Sequence, residues 1–165
     1  MGNLSEDFKA NRGHPKEQLL LASLRFAQAV RGTPVIGTAV SLMHRVISEI
    51  VFCIEIRPET EIGPGLRIFH GYGTVINTGS KLGKNVKIHQ GVTIGARYTG
   101  GGSPTILDNS DIGAGAIILG DICIGPGSIV GAGAVVLNDV PAGFNAVGNP
   151  ARLISKSSSA DSEES

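Results

Sequence analysis

The chain has 165 residues, including 24 glycines and 8 prolines, and 20 of those glycines lie between Gly63 and Gly148. A span so rich in glycine that still carries a dense supply of Val, Ile and Ala is neither collagen, which needs Gly at strict threes, nor a disordered segment. Lys and Arg number 14 against 14 for Asp and Glu, which removes the bulk electrostatic case for nucleic acid or an anionic membrane as partner.

Residues 1–16 are polar and contain no apolar run of the kind a secretory signal needs, so a cytoplasmic protein is expected. Two helices are predicted next, over 15–30 with Leu19, Leu20, Leu21, Leu24, Phe26 and Ala27, and over 34–52 with Ile36, Val40, Met43, Ile47, Ile50 and Val51, each opening on a proline. Together they make residues 1–53 a helical segment that caps the rest of the chain or packs between subunits. The apolar stretch 34–56 is broken by His44, Arg45, Ser48 and Glu49, which bars a membrane span and leaves a weak association with a membrane surface open. Cys53 and Cys123 have apolar neighbours and no metal spacing, and they read as reduced, buried thiols.

From residue 54 the sequence keeps a period of six. Ile112, Ile118, Ile124, Val130 and Val136 form one series and Ile76, Leu82, Ile88 and Ile94 another; Ile62 and Ile68 open the pattern before a two-residue slip at His70 to Tyr72. A helix would repeat every three to four residues and a hairpin protein would alternate over longer runs. One aliphatic residue and one small residue per six suit a short strand and a tight turn, and three such corners close a triangular coil of about eighteen residues. The predicted fold is therefore mainly β, a parallel β-helix over 54–154, with its aliphatic column in the core, ends that need caps and outer faces free to meet other copies. Ala114, Ala116, Ala132 and Ala134 are expected to let another chain or an extended ligand come close. The rule lapses between Ile94 and Ile106, where Gly100, Gly101 and Gly102 mark an extruded loop. Residues 155–165 are rich in Ser, Asp and Glu and are expected to be disordered.

Two of the four histidines, His70 and His89, fall in the repeats about one coil apart. Spacing alone leaves open whether His70, at the slip, is a functional group or a surface residue beside an irregular corner. Four further stretches bear on this: Ile54-Glu55-Ile56-Arg57-Pro58, Gln90-Gly91-Val92-Thr93-Ile94-Gly95, Ile118-Leu119-Gly120 and Val147-Gly148-Asn149-Pro150-Ala151. With them, residues 54–151 resemble the hexapeptide-repeat acyltransferases in their serine O-acetyltransferase branch. The resemblance implies a left-handed β-helix, acetyl-CoA as donor with no metal, and a homotrimer with active sites between subunits. It makes His70 the general base on the acceptor hydroxyl and Glu55 the acid that orients it. An imidazole, which titrates near pH 6.5, can take the hydroxyl proton as the oxygen attacks the thioester. It also implies that the coenzyme lies along backbone groups of Gly95, Ala96, Ala114 and Ala132, with Arg97 and Arg152 toward its phosphates.

The departures from that branch bear on the acceptor. Phe69 stands where it has an Asp directly before the base, and Ser103 where it has a His before the loop proline. A zwitterionic serine needs a charged partner for each end, and Phe69 leaves its ammonium unpaired. Phe69-His70-Gly71-Tyr72-Gly73 with Val75-Ile76-Asn77 resembles instead the colanic-acid-type exopolysaccharide O-acetyltransferases, which implies a sugar hydroxyl as acceptor, Tyr72 stacked on it, and Asn77 and His89 as polar contacts. Serine O-acetylation for cysteine synthesis is the alternative. A zinc-dependent hydratase on the same fold would need three clustered histidines, of which the repeats supply two.

Overall fold

A computed structural model describes residues 2–155. The expected disorder of the terminal segment concerns residues outside that range, apart from Ser155. From Ile54 onward the chain winds through five coils. The first contains β1 (Ile54–Ile56), β2 (Glu61–Ile62) and β3 (Arg67–Ile68), and the second β4 (Thr74–Ile76), β5 (Lys81–Leu82) and β6 (Lys87–Ile88). The third contains β7 (Thr93–Gly95), β8 (Thr105–Ile106) and β9 (Asp111–Ile112), and the fourth β10 (Ile117–Leu119), β11 (Cys123–Ile124) and β12 (Ile129–Val130). The last has β13 (Val135–Val136) and β14 (Asn145–Val147), with Val140 bridged to Ile124 in place of a middle strand.

Equivalent strands stack in parallel into three sheets, β1-β4-β7-β10-β13, β2-β5-β8-β11 and β3-β6-β9-β12-β14. The register is Ile on Ile: Ile56 with Ile76, Ile76 with Ile94, and Ile94 with Ile118. The six-residue series is the core column, since Ile88, Ile94, Ile106, Ile112, Ile118, Ile124 and Val130 are all fully buried. Each such side chain contributes about 1.5–3 kcal/mol by leaving water. At the far end β15 (Arg152–Ile154) turns back antiparallel on β14 and covers the edge of the third sheet.

The open edge at the near end is covered by helices, one beneath each sheet. The expected helices are α2 (Pro15–Val30) and α3 (Ile36–Val46), the latter running on through a π-helical turn at Ile47–Val51. A further helix, α1 (Gly2–Ala10), lies in the polar stretch where no apolar period announced it. Under β3, Asn11 imitates the backbone of a missing strand, its Nδ2 donating to the Leu66 carbonyl (2.8 Å) while its Oδ1 accepts from Ile68 N (3.1 Å). Asp7 Oδ1 accepts from Gly65 N and Leu66 N at 2.8 and 3.0 Å. Under β2, the Arg25 guanidinium donates to the carbonyls of Ile62 and Gly63 at 2.9 and 2.7 Å and pairs with Asp7 at 2.8 Å. Under β1, His44 Nε2 lies 3.0 Å from the Ile56 carbonyl. An exposed row of strand N–H and C=O groups would otherwise template aggregation.

His44 carries a pH consequence. Ile56 O only accepts, so Nε2 holds a proton, and Nδ1 faces Ser23 Oγ at 2.9 Å. Burial lowers the His44 value from 6.5, against raising contributions from the Ile56 hydrogen bond and from Glu59 and Glu49. A folded value below the unfolded one favours folding fully above about pH 6.5. That contribution is lost as the pH falls from there toward the folded value. Urea midpoints are expected to drop between pH 7.5 and 5 in the natural chain and to drop less in His44→Gln, which keeps a donor for Ile56 but cannot titrate.

Two sequence expectations need correction. Ala116 and Ala134 point inward and are fully buried, leaving only Ala114 and Ala132 of that group at the surface. Cys53 is exposed, not buried, because it stands one coil below Gly73 at an outward corner, where its backbone is left-handed (φ 54°). Cys123 is only partly buried, and both thiols are unpaired.

Candidate active site

The slip in the period becomes a corner with two extra residues between β3 and β4. His70 sits there with a left-handed backbone (φ 64°), rare for any residue with a Cβ and tolerated best by Asn, Asp and His. Gly71 follows in the same conformation (φ 64°), where a Cβ would be strained and would come within 2.8 Å of Ile68 Cγ2. The corner is tied on both flanks, Phe69 N to the Ile88 carbonyl and Gly91 N to the Tyr72 carbonyl, both at 2.8 Å. His70 is exposed, and among the described residues neither of its ring nitrogens has a hydrogen-bond partner.

Sequence-predicted neighbours are distributed around this corner unevenly. Glu55 projects from the outer face of β1 but turns to Arg57, at 3.2 Å, rather than to His70; the same Arg57 nitrogen is 3.3 Å from Glu49. A cleft of about 240 Å³ opens beside it, lined by Glu49, Cys53, Glu55, Gly73 and Val75 among others. His89 stacks on Phe69 with ring centroids 4.4 Å apart, which covers one ring face, and its Nε2 lies 3.4 Å from Asp111 Oδ1. Arg67 lies over the Phe69 ring at 4.4 Å. Tyr72 is exposed, yet one ring face carries the Lys16 ammonium 3.2 Å from its centroid. Lys16 has no motif around it, and nothing in the sequence marks it out.

The donor-site candidates fall at two corners of the first sheet. Ala114 and Ala132 stack on the His70 corner, and Arg152, in register with Val147, closes its far end. Gly95, Ala96 and Arg97 lie at the opposite corner with Asn77, whose side chain only reaches back to Gly79 N at 3.5 Å. Ser103, at the end of the extruded loop, packs there against Gly79. The carbonyls of Gly95 and Ala114 already accept from Gly120 N (3.0 Å) and Gly133 N (2.8 Å). A single chain therefore does not gather His70, Asn77 and Arg97 in one place.

Five coils of six-residue repeats, with a histidine at the enlarged corner between β3 and β4, define a hexapeptide-repeat β-helix. No family model matches the chain. A serine acetyltransferase of Helicobacter pylori is 41% identical over 123 residues, 73% of this chain and 70% of that protein. Among solved structures, soybean serine acetyltransferase complexed with serine superposes with a TM-score of 0.80 at 36% identity, over 92% of this chain and 68% of that one. The Brucella abortus serine acetyltransferase in complex with coenzyme A gives 0.82 at 30%, over 93% and 66%. The chain thus belongs to the serine acetyltransferase family, and it spans about two thirds of the length of these solved relatives.

Proposed function

We propose that the protein is an acetyl-CoA-dependent O-acetyltransferase whose acceptor is the hydroxyl of serine, with His70 as general base. The observation that carries the chemistry is the exposed imidazole on the enlarged corner, in a fold whose relatives are described with serine and with coenzyme A. His70 takes the hydroxyl proton as the oxygen attacks the thioester carbonyl, the C–S bond breaks, and the proton passes to the departing thiolate. Transfer is direct, with no acyl-enzyme. Glu55 would serve the ring by swinging from Arg57, which keeps Glu49 as its partner.

Residues at the two corners are separated by a strand of three residues, about 10 Å of extended chain. A homotrimer would bring one subunit's His70, Ala114, Ala132 and Arg152 to face another's Gly95, Ala96, Arg97 and Asn77 across one groove, where the extended arm of the coenzyme could lie. The helices support assembly: Ile36, Met43 and Ile50 recur every seven residues on an exposed stripe that also includes Val46. Among the described residues no helix is long and apolar enough to cross a membrane, and acetyl-CoA as donor supports a cytoplasmic location.

A second reading, a sugar hydroxyl as acceptor, is favoured by the Phe69–His89 aromatic pair beside the base, where an amino acid's ammonium would want a carboxylate. The test is thiol release from acetyl-CoA with L-serine and, separately, with nucleotide-linked and lipid-linked sugars. Serine-dependent release is expected. Release with sugars and none with serine would move the acceptor to carbohydrate, and no release with any acceptor would remove both readings.

A further inference from the structure

We infer that Lys16 is a positioning residue for His70, an inference that rests on the reading of His70 as the base. Lys16 is the second residue of α2, directly after Pro15, and belongs to the capping layer rather than to the β-helix. Its Nζ donates to the main-chain carbonyl of His70 at 3.0 Å and sits 3.2 Å from the Tyr72 ring centroid and 5.8 Å from that of Phe52. The same carbonyl accepts from Tyr72 N at 2.9 Å. One ammonium therefore grips both the peptide that comes after the base and the aromatic residue two places on.

The need for such a grip arises from the fold. Elsewhere on this edge of the prism each corner is templated by the coils above and below through the ladder. The two extra residues at 70 and 71 have no counterpart in the next coil, and both adopt left-handed backbones with Gly71 free of a side chain. The 70–71 peptide is held by bonds inside the corner, Gly71 N to the Phe69 carbonyl at 2.7 Å and Tyr72 N to the His70 carbonyl at 2.9 Å, rather than by the ladder, and its rotation would redirect the imidazole. A cation on its carbonyl fixes the peptide's direction through a charge-assisted hydrogen bond, and the attraction between ammonium and ring holds Tyr72 against the same point. A misplacement of about 1 Å at a reacting group can cost roughly 100-fold in rate. Loss of Lys16 should accordingly appear in kcat, because the coenzyme groove is built from other residues.

The contact is read without turnover in the proton NMR spectrum of the full chain. Ring current from Tyr72 should displace the Lys16 ε-methylene signal upfield, assigned by its loss in Lys16→Arg, and Tyr72→Leu should return it to the ordinary lysine position. An undisplaced signal in the natural protein would overturn the inference. In acetyl transfer, with L-serine or whichever acceptor supports thiol release, Lys16→Met should lower kcat 10- to 100-fold with KM for acetyl-CoA within about twofold. Lys16→Arg should recover most of the loss, a rescue that a packing role alone would not give. Full turnover in Lys16→Met alongside a dead His70→Asn sinks this inference alone. Full turnover in His70→Asn sinks the reading of the base and this inference with it.

Discussion

His70→Asn should lower acetyl transfer by a factor of roughly 10²–10⁴ while the thermal midpoint stays within a few degrees of the natural protein. Asn is chosen because position 70 has φ 64°, and Asn enters the left-handed region at little cost whereas Ala does not. The imidazole is exposed and no hydrogen bond from its ring supports the fold, so its removal deletes chemistry without opening a cavity. What disappears is a group able to accept a proton near neutral pH at the point where the acceptor oxygen attacks; the amide of Asn cannot do so. The measurement is thiol release under saturating acetyl-CoA beside a melting curve. Turnover within a factor of three of the natural protein would assign the base elsewhere. A parallel loss of activity and of several degrees in midpoint would mean that the corner itself had failed, and Gly at 70, which is free in the same backbone region, would then separate the two effects.

Much of the architecture was legible in the order of the residues. The six-residue spacing of Ile76, Leu82, Ile88 and Ile94 could only be satisfied by stacked short strands, and those residues form the buried column with like over like in register. The slip at His70 was equally plain, because an interruption of a strict period is itself a signal. What could not be read were contacts made between distant segments by polar side chains. Asp7 and Asn11 stand in a run of polar residues that resembles any solvated terminus, yet both are fully buried against Leu66 and Ile68, over fifty residues away. Lys16 and His44 were hidden for the same reason, since a lone cation or imidazole beside apolar helix residues has no periodicity. The exposure of Cys53 escaped notice because composition describes its neighbours and not the corner that turns it outward. Glu55 shows the opposite limit: its position in the motif was legible, but its choice of Arg57 as partner depends on Arg57 lying two residues along the same strand direction.

The Asp7–Arg25 pair should be the most sensitive polar contact for stability. Asp7→Ala is expected to cost about 3–5 kcal/mol, the range for breaking a buried ion pair by removing one partner. Its carboxylate is fully buried, Arg25 is 9% exposed, and the pair is held at 2.8 Å. Deleting the carboxylate also orphans Gly65 N and Leu66 N, which have no other acceptor at that edge and lie beneath the first coil where water cannot reach easily. Arg25 would meanwhile keep its bonds to the carbonyls of Ile62 and Gly63, so a buried cation would persist with only neutral partners. For that reason Arg25→Met should be milder than Asp7→Ala, and the double variant should cost less than the sum of the two single ones. Urea titrations of the three variants supply the cycle. A loss below about 1 kcal/mol for Asp7→Ala, the range of exposed pairs, would mean that α1 is peripheral and that the first coil does not depend on it for its edge.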